Sequence, residues 1–346
     1  MRHALHRGEA EEAGDELRVR GHGGPFVLRI VETWCDRATS CVAIWVYLQT
    51  CGFNVHRKIF VFVINPQRAN ASSRTFFREE CRLKEPLSAA RRKEFEDFAA
   101  AIADGARSMS LPRFRRPVDV SLKGDASPVT EVDRGVEAML RDRIEAAWPM
   151  HGVLGEEFGA EHTDAEYVWS IDPIDGTRSF ISGWPLWGTL IALLRDGRPV
   201  LGVLDMPALN ERWIGHVGVA TTMNGEACRT RDCTSIAEAT LYTTTPDMFT
   251  PDEWARFDRT SRAAYARRFG GDCYGYGMLA SGYIDAVVES NLMPYDYLAI
   301  APVVQAAGGV ITDWEGRPLG LHSGSRVVAA ATPQLHAALI ASLASD

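Results

Sequence analysis

The densest group of residues able to do chemistry is a six-residue string at positions 172–177, which reads Asp-Pro-Ile-Asp-Gly-Thr. Its carboxylates, Asp172 and Asp175, are three residues apart and follow a β-rich run, so they can meet on one side of a turn. Carboxylate oxygens in such a cluster suit hard divalent cations, Mg²⁺ above all. The backbone N–H groups of Gly176 and Thr177 open the next turn or helix, where phosphate binds readily. The alternative is a solvated turn, which the same residue types also form.

Three further segments, taken with this string, resemble the inositol monophosphatase superfamily. Residues 155–157 read Gly-Glu-Glu, and the metal motif of that superfamily is Asp-Pro-Ile/Leu-Asp-Gly-Thr after an upstream Gly-Glu-Glu. Residues 129–133 match its Val-Thr-x-x-Asp element. Residues 295–299, Tyr-Asp-Tyr-Leu-Ala, match its second metal motif, with Tyr295 in place of the usual Trp. The resemblance extends from about Glu94 to the C-terminus.

The resemblance implies metal-assisted hydrolysis of a phosphate monoester with two or three Mg²⁺ per active site. The implied ligands are all oxygen donors: Glu156, Asp172, the Ile174 carbonyl, Asp175 and Asp296. Asp172 is expected to bridge, sharing the first metal with Glu156 and Ile174 and the second with Asp175 and Asp296.

The same resemblance assigns roles beside the metals. Asp133 and Thr177 are expected to orient and deprotonate the attacking water, with Glu156 as the third catalytic residue. Gly176 and Thr177 are the expected phosphate-binding residues. Lys123 and Glu157 are expected to support the ligands; the alternative for this pair is a surface lysine and a solvated glutamate.

The leaving group is not decided by the fold, since members of the superfamily act on several phosphate esters. Glu289 matches the position that touches the leaving alcohol, and Asp272 adds a second carboxylate within Phe-Gly-Gly-Asp-Cys-Tyr-Gly-Tyr-Gly at 269–277. A paired Asp and Glu complement the ammonium and imidazole of histidinol better than a neutral polyol. The string also looks like the histidinol-phosphate phosphatase branch, so L-histidinol phosphate is the favoured substrate.

Three alternatives stay open at this point. The substrate could be inositol 1-phosphate or a broader set of sugar phosphates, and Asp272 could be a loop carboxylate bonded to its own backbone. A non-catalytic regulator is disfavoured because such a protein is expected to lose its metal ligands, and every one of them is present.

The elements that must position these residues alternate between helices and strands. Apolar residues from Phe95 to Ala106 recur at helical spacing after Ser88, and a second helix is predicted over 131–148. Runs at 187–194 and 200–206 flank an Asp-Gly centre, which predicts a hairpin. The second half is predicted to contain helices at 278–283, 298–307 and 333–343 and strands at 284–289, 310–314 and 327–331.

The predicted fold class is α/β (α+β), and the resemblance implies a layered α/β/α/β/α sandwich in a homodimer. A soft boundary near residue 220 divides it into an N-terminal half, 86–220, with the metal motif and a C-terminal half, 221–346, with the substrate-specificity segment.

Charge and cysteine content set the remaining expectations. The chain of 346 residues has a net charge of -8, but residues 1–85 carry +3 and the rest -11. An acidic chain gains nothing from phosphate counterion release, so nucleic acid is not an expected partner, and no apolar run is long enough for a membrane. An odd cysteine count of 7 favours a cytoplasmic location.

Residues 1–85 are interpreted as an appendage, either poorly ordered or translated from upstream of the natural start. The alternative is a small accessory or dimerisation element, with possible strands at 42–48 and 59–64.

Overall fold

A computed structural model describes residues 87–124 and 128–345 and, before them, four strand segments. By its internal contacts the chain divides into two units, Met1–Pro86 and Leu87–Asp346. In the first unit an antiparallel sheet pairs, in this order, β1 (Glu16–Gly21), β2 (Gly24–Cys35), β3 (Val42–Thr50) and β4 (Phe53–Arg57). The strand predicted at 42–48 lies within β3, and the one at 59–64 falls outside the described residues. The appendage interpretation stays a prediction.

The helices of the second unit occur in two groups along the chain. The first group comprises α1 (Ala89–Ser110), α2 (Glu131–Ala147) and α3 (Thr177–Ser182). The second comprises α4 (Pro251–Arg262), α5 (Tyr274–Ala280), α6 (Pro294–Tyr297), α7 (Ile300–Ala306) and α8 (Pro333–Ala344). Short 3-10 turns lie at Leu111–Arg113, Ile236–Glu238 and Pro246–Met248.

The strands of the second unit form a small hairpin and two larger sheets. The hairpin pairs β5 (Val120–Leu122) with β6 (Pro128–Thr130). The eight-stranded sheet has the order β14-β13-β12-β11-β10-β9-β7-β8. Its strands are β7 (Gly152–Gly155), β8 (Gly159–Glu161), β9 (Tyr167–Asp175), β10 (Gly188–Arg195), β11 (Arg198–Met206), β12 (Glu211–His216), β13 (Val219–Met223) and β14 (Glu226–Ala227).

The second large sheet has five strands in the order β16-β15-β17-β19-β18. It is mixed, because β15 runs parallel to both β16 and β17 while β19 pairs antiparallel with its two neighbours. Its strands are β15 (Thr240–Thr243), β16 (Ala266–Phe269), β17 (Ala286–Glu289), β18 (Val310–Thr312) and β19 (Val327–Ala330).

Three buried clusters show how these elements are layered. One joins α1 and α2 to the eight-stranded sheet, a second places α5 and α7 between the two sheets, and a third packs α4 and α8 on the five-stranded sheet. This order is α/β/α/β/α, so the predicted layered sandwich is confirmed.

Local sequence signals account for the elements around the motif. Ser88 caps α1, Thr130 and Asp133 form a capping box on α2, and the 195–198 turn has positive φ at Asp196 and Gly197, as its hairpin requires. β9 was expected to end before Asp172 but continues to Asp175, because β10 pairs with it along that length. No helix within the described residues is long and apolar enough to cross a membrane.

Candidate active site

Three aspartates meet at the end of β9. Asp172 and Asp175 lie on that strand, and Asp296 comes from α6, where the chain enters the layer between the sheets. One carboxylate oxygen from each lies within 4.8 Å of the others. The two motifs that are 121 residues apart in the sequence are therefore brought together.

Each of these carboxylates is oriented by one backbone N–H group. The N–H of Ile174 donates to Asp172 Oδ1 at 3.0 Å, that of Cys273 to Asp175 Oδ2 at 2.7 Å, and that of Met293 to Asp296 Oδ2 at 2.7 Å. One oxygen on each side chain is fixed by these bonds, which leaves the other available to a ligand. The result is a rigid set of oxygen donors.

Burial and mutual repulsion raise the pKa values of all three clustered carboxylates. Burial and then repulsion from Glu156 raise the pKa of Asp172 well above its usual range. Burial and then the charge of Asp272 raise the pKa of Asp175 to about 7. Burial and then the charge of Asp175 raise the pKa of Asp296. Clustered carboxylates with only oxygen donors fit a hard divalent cation, which would relieve this repulsion.

Glu156 borders the cluster and is held by a lysine. The charge of Glu156 raises the pKa of Asp172. Lys123 Nζ lies 2.7 Å from Glu156 Oε1 and 2.6 Å from Glu157 Oε1. The structure thus brings the predicted supporting pair to the Gly-Glu-Glu loop, and both glutamates share one ammonium group.

A buried glutamate that the sequence analysis did not single out supports the same loop. Glu137 on α2 accepts hydrogen bonds from the backbone N–H groups of Glu157 at 2.7 Å and Phe158 at 3.1 Å. Arg141, one turn further along α2, donates to the Glu137 carboxylate at 2.8 Å. A Cβ on Gly155 would lie 2.0 Å from Glu137 Oε1, so the motif glycine makes room for this carboxylate. No local motif signals Glu137.

Thr177 and Asp133 meet as the resemblance implied. Thr177 Oγ1 lies 3.2 Å from Asp133 Oδ1 and 3.0 Å from the Ile174 carbonyl oxygen. Asp133 is fully buried, and its Oδ2 accepts the backbone N–H of Thr130 at 2.9 Å. Burial raises the pKa of Asp133 despite these bonds. The capping box of α2 therefore also fixes the partner of the motif threonine.

Asp272 lies against the motif glycine. A Cβ on Gly176 would lie 3.1 Å from Asp272 Cγ, and Ser179 Oγ donates to Asp272 Oδ2 at 2.9 Å. The backbone at Gly270, Gly271 and Asp272 has φ of 95°, 127° and 45°. Consecutive positive φ values favour glycine, which accounts for the Gly-Gly-Asp string. Asp272 thus accepts a hydrogen bond from Ser179, and its charge raises the pKa of Asp175.

Glu289 is buried at the end of β17 and is held by three donors. Its Oε1 accepts the backbone N–H and the hydroxyl of Thr244 at 3.0 and 2.6 Å, and its Oε2 accepts the Tyr276 hydroxyl at 2.8 Å. Burial raises the pKa of Glu289, and the charge of Asp272 adds to the effect. Thr244 and Tyr276 were not predicted, because their partner is distant in sequence.

Comparisons with known proteins agree with this geometry. The inositol monophosphatase family model matches residues 91–346. The chain is 44% identical over 241 residues to the bifunctional phosphatase IMPL2 of Arabidopsis thaliana, covering 68% of this chain and 70% of the relative. It is 38% identical to a histidinol-phosphatase of Chlorobaculum parvum, over 64% of this chain and 86% of the relative.

A solved structure, an inositol monophosphatase from Zymomonas mobilis, superposes with a TM-score of 0.69 at 41% identity, covering 74% of this chain and 99% of that one. The residues matched by the family model, 91–346, contain the three aspartates, the Gly-Glu-Glu loop and the Asp133–Thr177 pair. The chain belongs to the inositol monophosphatase family and is a phosphatase.

Proposed function

We propose that this phosphatase hydrolyses L-histidinol phosphate to L-histidinol and inorganic phosphate. The observation that carries the proposal is the placement of Asp272 against Gly176, beside the expected phosphate site. A second buried carboxylate, Glu289, contributes to the same electrostatic environment. Histidinol bears an ammonium group, for which two carboxylates provide complementary charge. The histidinol-phosphatase of Chlorobaculum parvum supports the assignment.

Mg²⁺ is the cofactor that the donor set fits. Asp172, Asp175 and Asp296 would hold it, with Glu156 and the Ile174 carbonyl completing the ligands, in two or three positions per active site. Bound there, it would neutralise charge on the phosphoryl oxygens and make a bound water more acidic.

The chain's own groups then handle the proton. Thr177 Oγ1 donates to Asp133, which leaves its lone pairs free to accept from water. As the water oxygen bonds to phosphorus, the ester P–O bond breaks, a water proton passes to Thr177 Oγ1 and the threonine proton passes to Asp133. The leaving histidinol oxygen takes up a proton from solvent, which yields histidinol and inorganic phosphate. The backbone N–H groups of Gly176 and Thr177 are the proposed donors to the phosphate. Positioning and charge neutralisation carry most of the rate in such a transfer.

One other substrate class is favoured by a specific observation. The Zymomonas mobilis neighbour is described as an inositol monophosphatase and is 41% identical. Inositol 1-phosphate, or a broader set of sugar phosphates, is therefore the second candidate. A polyol brings hydroxyl donors and no positive charge, so it does not require the Asp272 carboxylate to be ionised.

Substitution of Asp272 separates the two candidates. Asp272→Asn keeps an acceptor for Ser179 and removes the charge, so we expect kcat/KM for histidinol phosphate to fall by roughly tenfold to a hundredfold. The value for inositol 1-phosphate should change by less than about threefold. Glu238→Gln, which alters an exposed carboxylate on a 3-10 turn, is the matched control. Equal losses on both substrates would reject the role of Asp272 in specificity.

A further inference from the structure

An exposed tryptophan, Trp184, lies against Gly270 in the loop that contains Asp272. The side chains of Trp169, Trp187 and Trp213 are fully buried, whereas Trp184 is 49% exposed. It follows α3 in the turn that leads to β10. No part of the phosphatase chemistry described above uses it.

The indole is seated on a glycine. A Cβ on Gly270 would lie 2.9 Å from Trp184 Cη2 and 3.4 Å from Cζ3, so only glycine lets the ring approach the backbone this closely. Gly270 also has φ of 95°, which L side chains rarely adopt. One part of the benzo ring is therefore packed against the chain while about half of the side chain faces solvent.

Two hydrogen-bonded paths connect the backbone around this ring to the two carboxylates. The backbone N–H of Trp184 donates to the Ser179 carbonyl at 2.8 Å, and the Ser179 hydroxyl donates to Asp272. The N–H of Gly270, under the ring, donates to the Thr244 carbonyl at 2.8 Å, and the Thr244 hydroxyl donates to Glu289. The backbone that carries the ring is thus tied to Asp272, and the backbone under the ring is tied to Glu289.

The turn that carries Trp184 is supported from its other side. Arg115 Nε donates to the Gly183 carbonyl oxygen at 2.9 Å, and a Cβ on Gly183 would lie 3.3 Å from Arg115 Cγ. Gly183 has φ of 76°, so glycine also suits this position. The ring is thus positioned by the Gly270 backbone on one side and by the turn that the Arg115 side chain supports on the other.

We propose that Trp184 is a specificity-determining residue that contacts the flat ring of the substrate's leaving group. An aromatic face attracts a ring by stacking and a cation through its π electrons. Together with the two carboxylates, to which its surrounding backbone is hydrogen-bonded, the ring complements a planar cationic group such as imidazolium and offers little to a polyol. This inference takes its substrate from the proposed function, but the preference of Trp184 for flat leaving groups can be tested separately.

The test measures the activity of Trp184→Phe, Trp184→Leu and the unaltered protein on four substrates, each in the presence of Mg²⁺. These are L-histidinol phosphate, phenyl phosphate, inositol 1-phosphate and glycerol 2-phosphate. For Trp184→Leu we expect KM to rise about tenfold for histidinol phosphate and about threefold for phenyl phosphate, with less than twofold change for the other two. Trp184→Phe keeps an aromatic ring, so its KM values should stay close to those of the unaltered protein.

Size-exclusion chromatography and thermal melting of the same variants show whether the substitutions change the oligomeric state or the stability of the protein. Equal KM changes on all four substrates, no change on any, or loss accompanied by an altered oligomeric state would overturn the proposal. If the unaltered protein does not hydrolyse histidinol phosphate but Trp184→Leu still weakens phenyl phosphate selectively, the proposed substrate is rejected and the aromatic contact stands.

Discussion

Thr177 Oγ1 lies 3.2 Å from Asp133 Oδ1, although the two residues are 44 positions apart. The strand that carries Asp172 and Asp175 ends just before Thr177, and the capping box of α2 fixes Asp133. The two elements thus bring a hydroxyl and a buried carboxylate together, and we propose that this pair deprotonates the attacking water.

Removing the charge of this carboxylate should affect the chemical step. For Asp133→Asn we expect kcat to fall by about 10²- to 10⁴-fold, the usual contribution of a general base, with KM changed by less than about threefold. Steady-state phosphate release with Mg²⁺ measures both quantities. A raised KM with unchanged kcat would show that Asp133 serves substrate binding instead.

Glu137 is expected to act on the metal through the loop that it holds. Glu137→Gln loses one of two acceptor oxygens for the N–H groups of Glu157 and Phe158, so the free energy of unfolding should fall by about 1–3 kcal/mol. The Mg²⁺ concentration for half-maximal activity should rise about tenfold, because support of the ligand Glu156 is weakened. Glu145→Gln, an exposed substitution on the same helix, is the control. Unchanged Mg²⁺ dependence would limit Glu137 to a role in stability.

Repulsion among the three clustered aspartates should lower the stability of the metal-free protein. Asp175→Asn removes one negative charge and keeps an acceptor for the Cys273 N–H, so we expect a higher melting temperature in EDTA. In the unaltered protein, Mg²⁺ at 100 times its dissociation constant should stabilise the fold by about 2.7 kcal/mol. The variant should lose most of that gain and its activity. Equal stabilisation of both proteins by Mg²⁺ would place the cation elsewhere.

His151 lies away from the active site and should make the stability of the fold depend on pH. It stacks on Trp148 and Tyr167, and Trp169 Nε1 lies 3.1 Å from its Nδ1. Burial, and then the charge of Arg91, lower the pKa of His151 to about 4, against an opposing effect of Glu166.

Because the unfolded imidazole binds a proton near pH 6.5 and the folded one near pH 4, stability is lost as the pH falls through that interval. Allowing for partial exposure, we expect His151 to cost about 1 kcal/mol between pH 7 and pH 5. Urea denaturation at the two values measures it. His151→Gln keeps an acceptor for Trp169 and should show a smaller pH dependence; an identical dependence in variant and parent would contradict the account.

The Tyr276 hydroxyl should matter for binding through Glu289. Tyr276→Phe removes one of the three donors to that carboxylate, and we expect KM for histidinol phosphate to rise by about three- to tenfold with kcat changed by less than about twofold. Tyr283→Phe alters an exposed tyrosine and is the control. If the variant matches its control in KM, Glu289 does not depend on Tyr276 for its position.

Local signals indicated two of the three aspartates that lie together at the end of β9. Asp172 and Asp175 are neighbours within the Asp-Pro-Ile-Asp-Gly-Thr string, so the sequence alone shows that they are close. The same holds for the caps at Ser88 and Thr130 and for the Asp-Gly hairpin. The layered architecture came from the resemblance, since the pairing of strands into two sheets depends on contacts between distant segments.

The remaining features depend on tertiary packing. Glu137 has no motif around it, and the N–H groups of Glu157 and Phe158 become its neighbours only when the loop after β7 folds against α2. The helix predicted at 278–283 is observed as Tyr274–Ala280, where glycines lower helix propensity but allow close packing. A Cβ on Gly277 would lie 3.0 Å from Trp213, so the position favours glycine for space rather than for helix formation. The contact of Trp184 with Gly270 likewise cannot be predicted from the sequence, because the two residues are far apart in it.

The substrate assignment is tested most directly by measuring kcat/KM of the unaltered protein for L-histidinol phosphate and inositol 1-phosphate side by side, with Mg²⁺, by phosphate release. The carboxylates Asp272 and Glu289 predict a value for histidinol phosphate at least about tenfold higher. A higher value for inositol 1-phosphate would contradict the assignment.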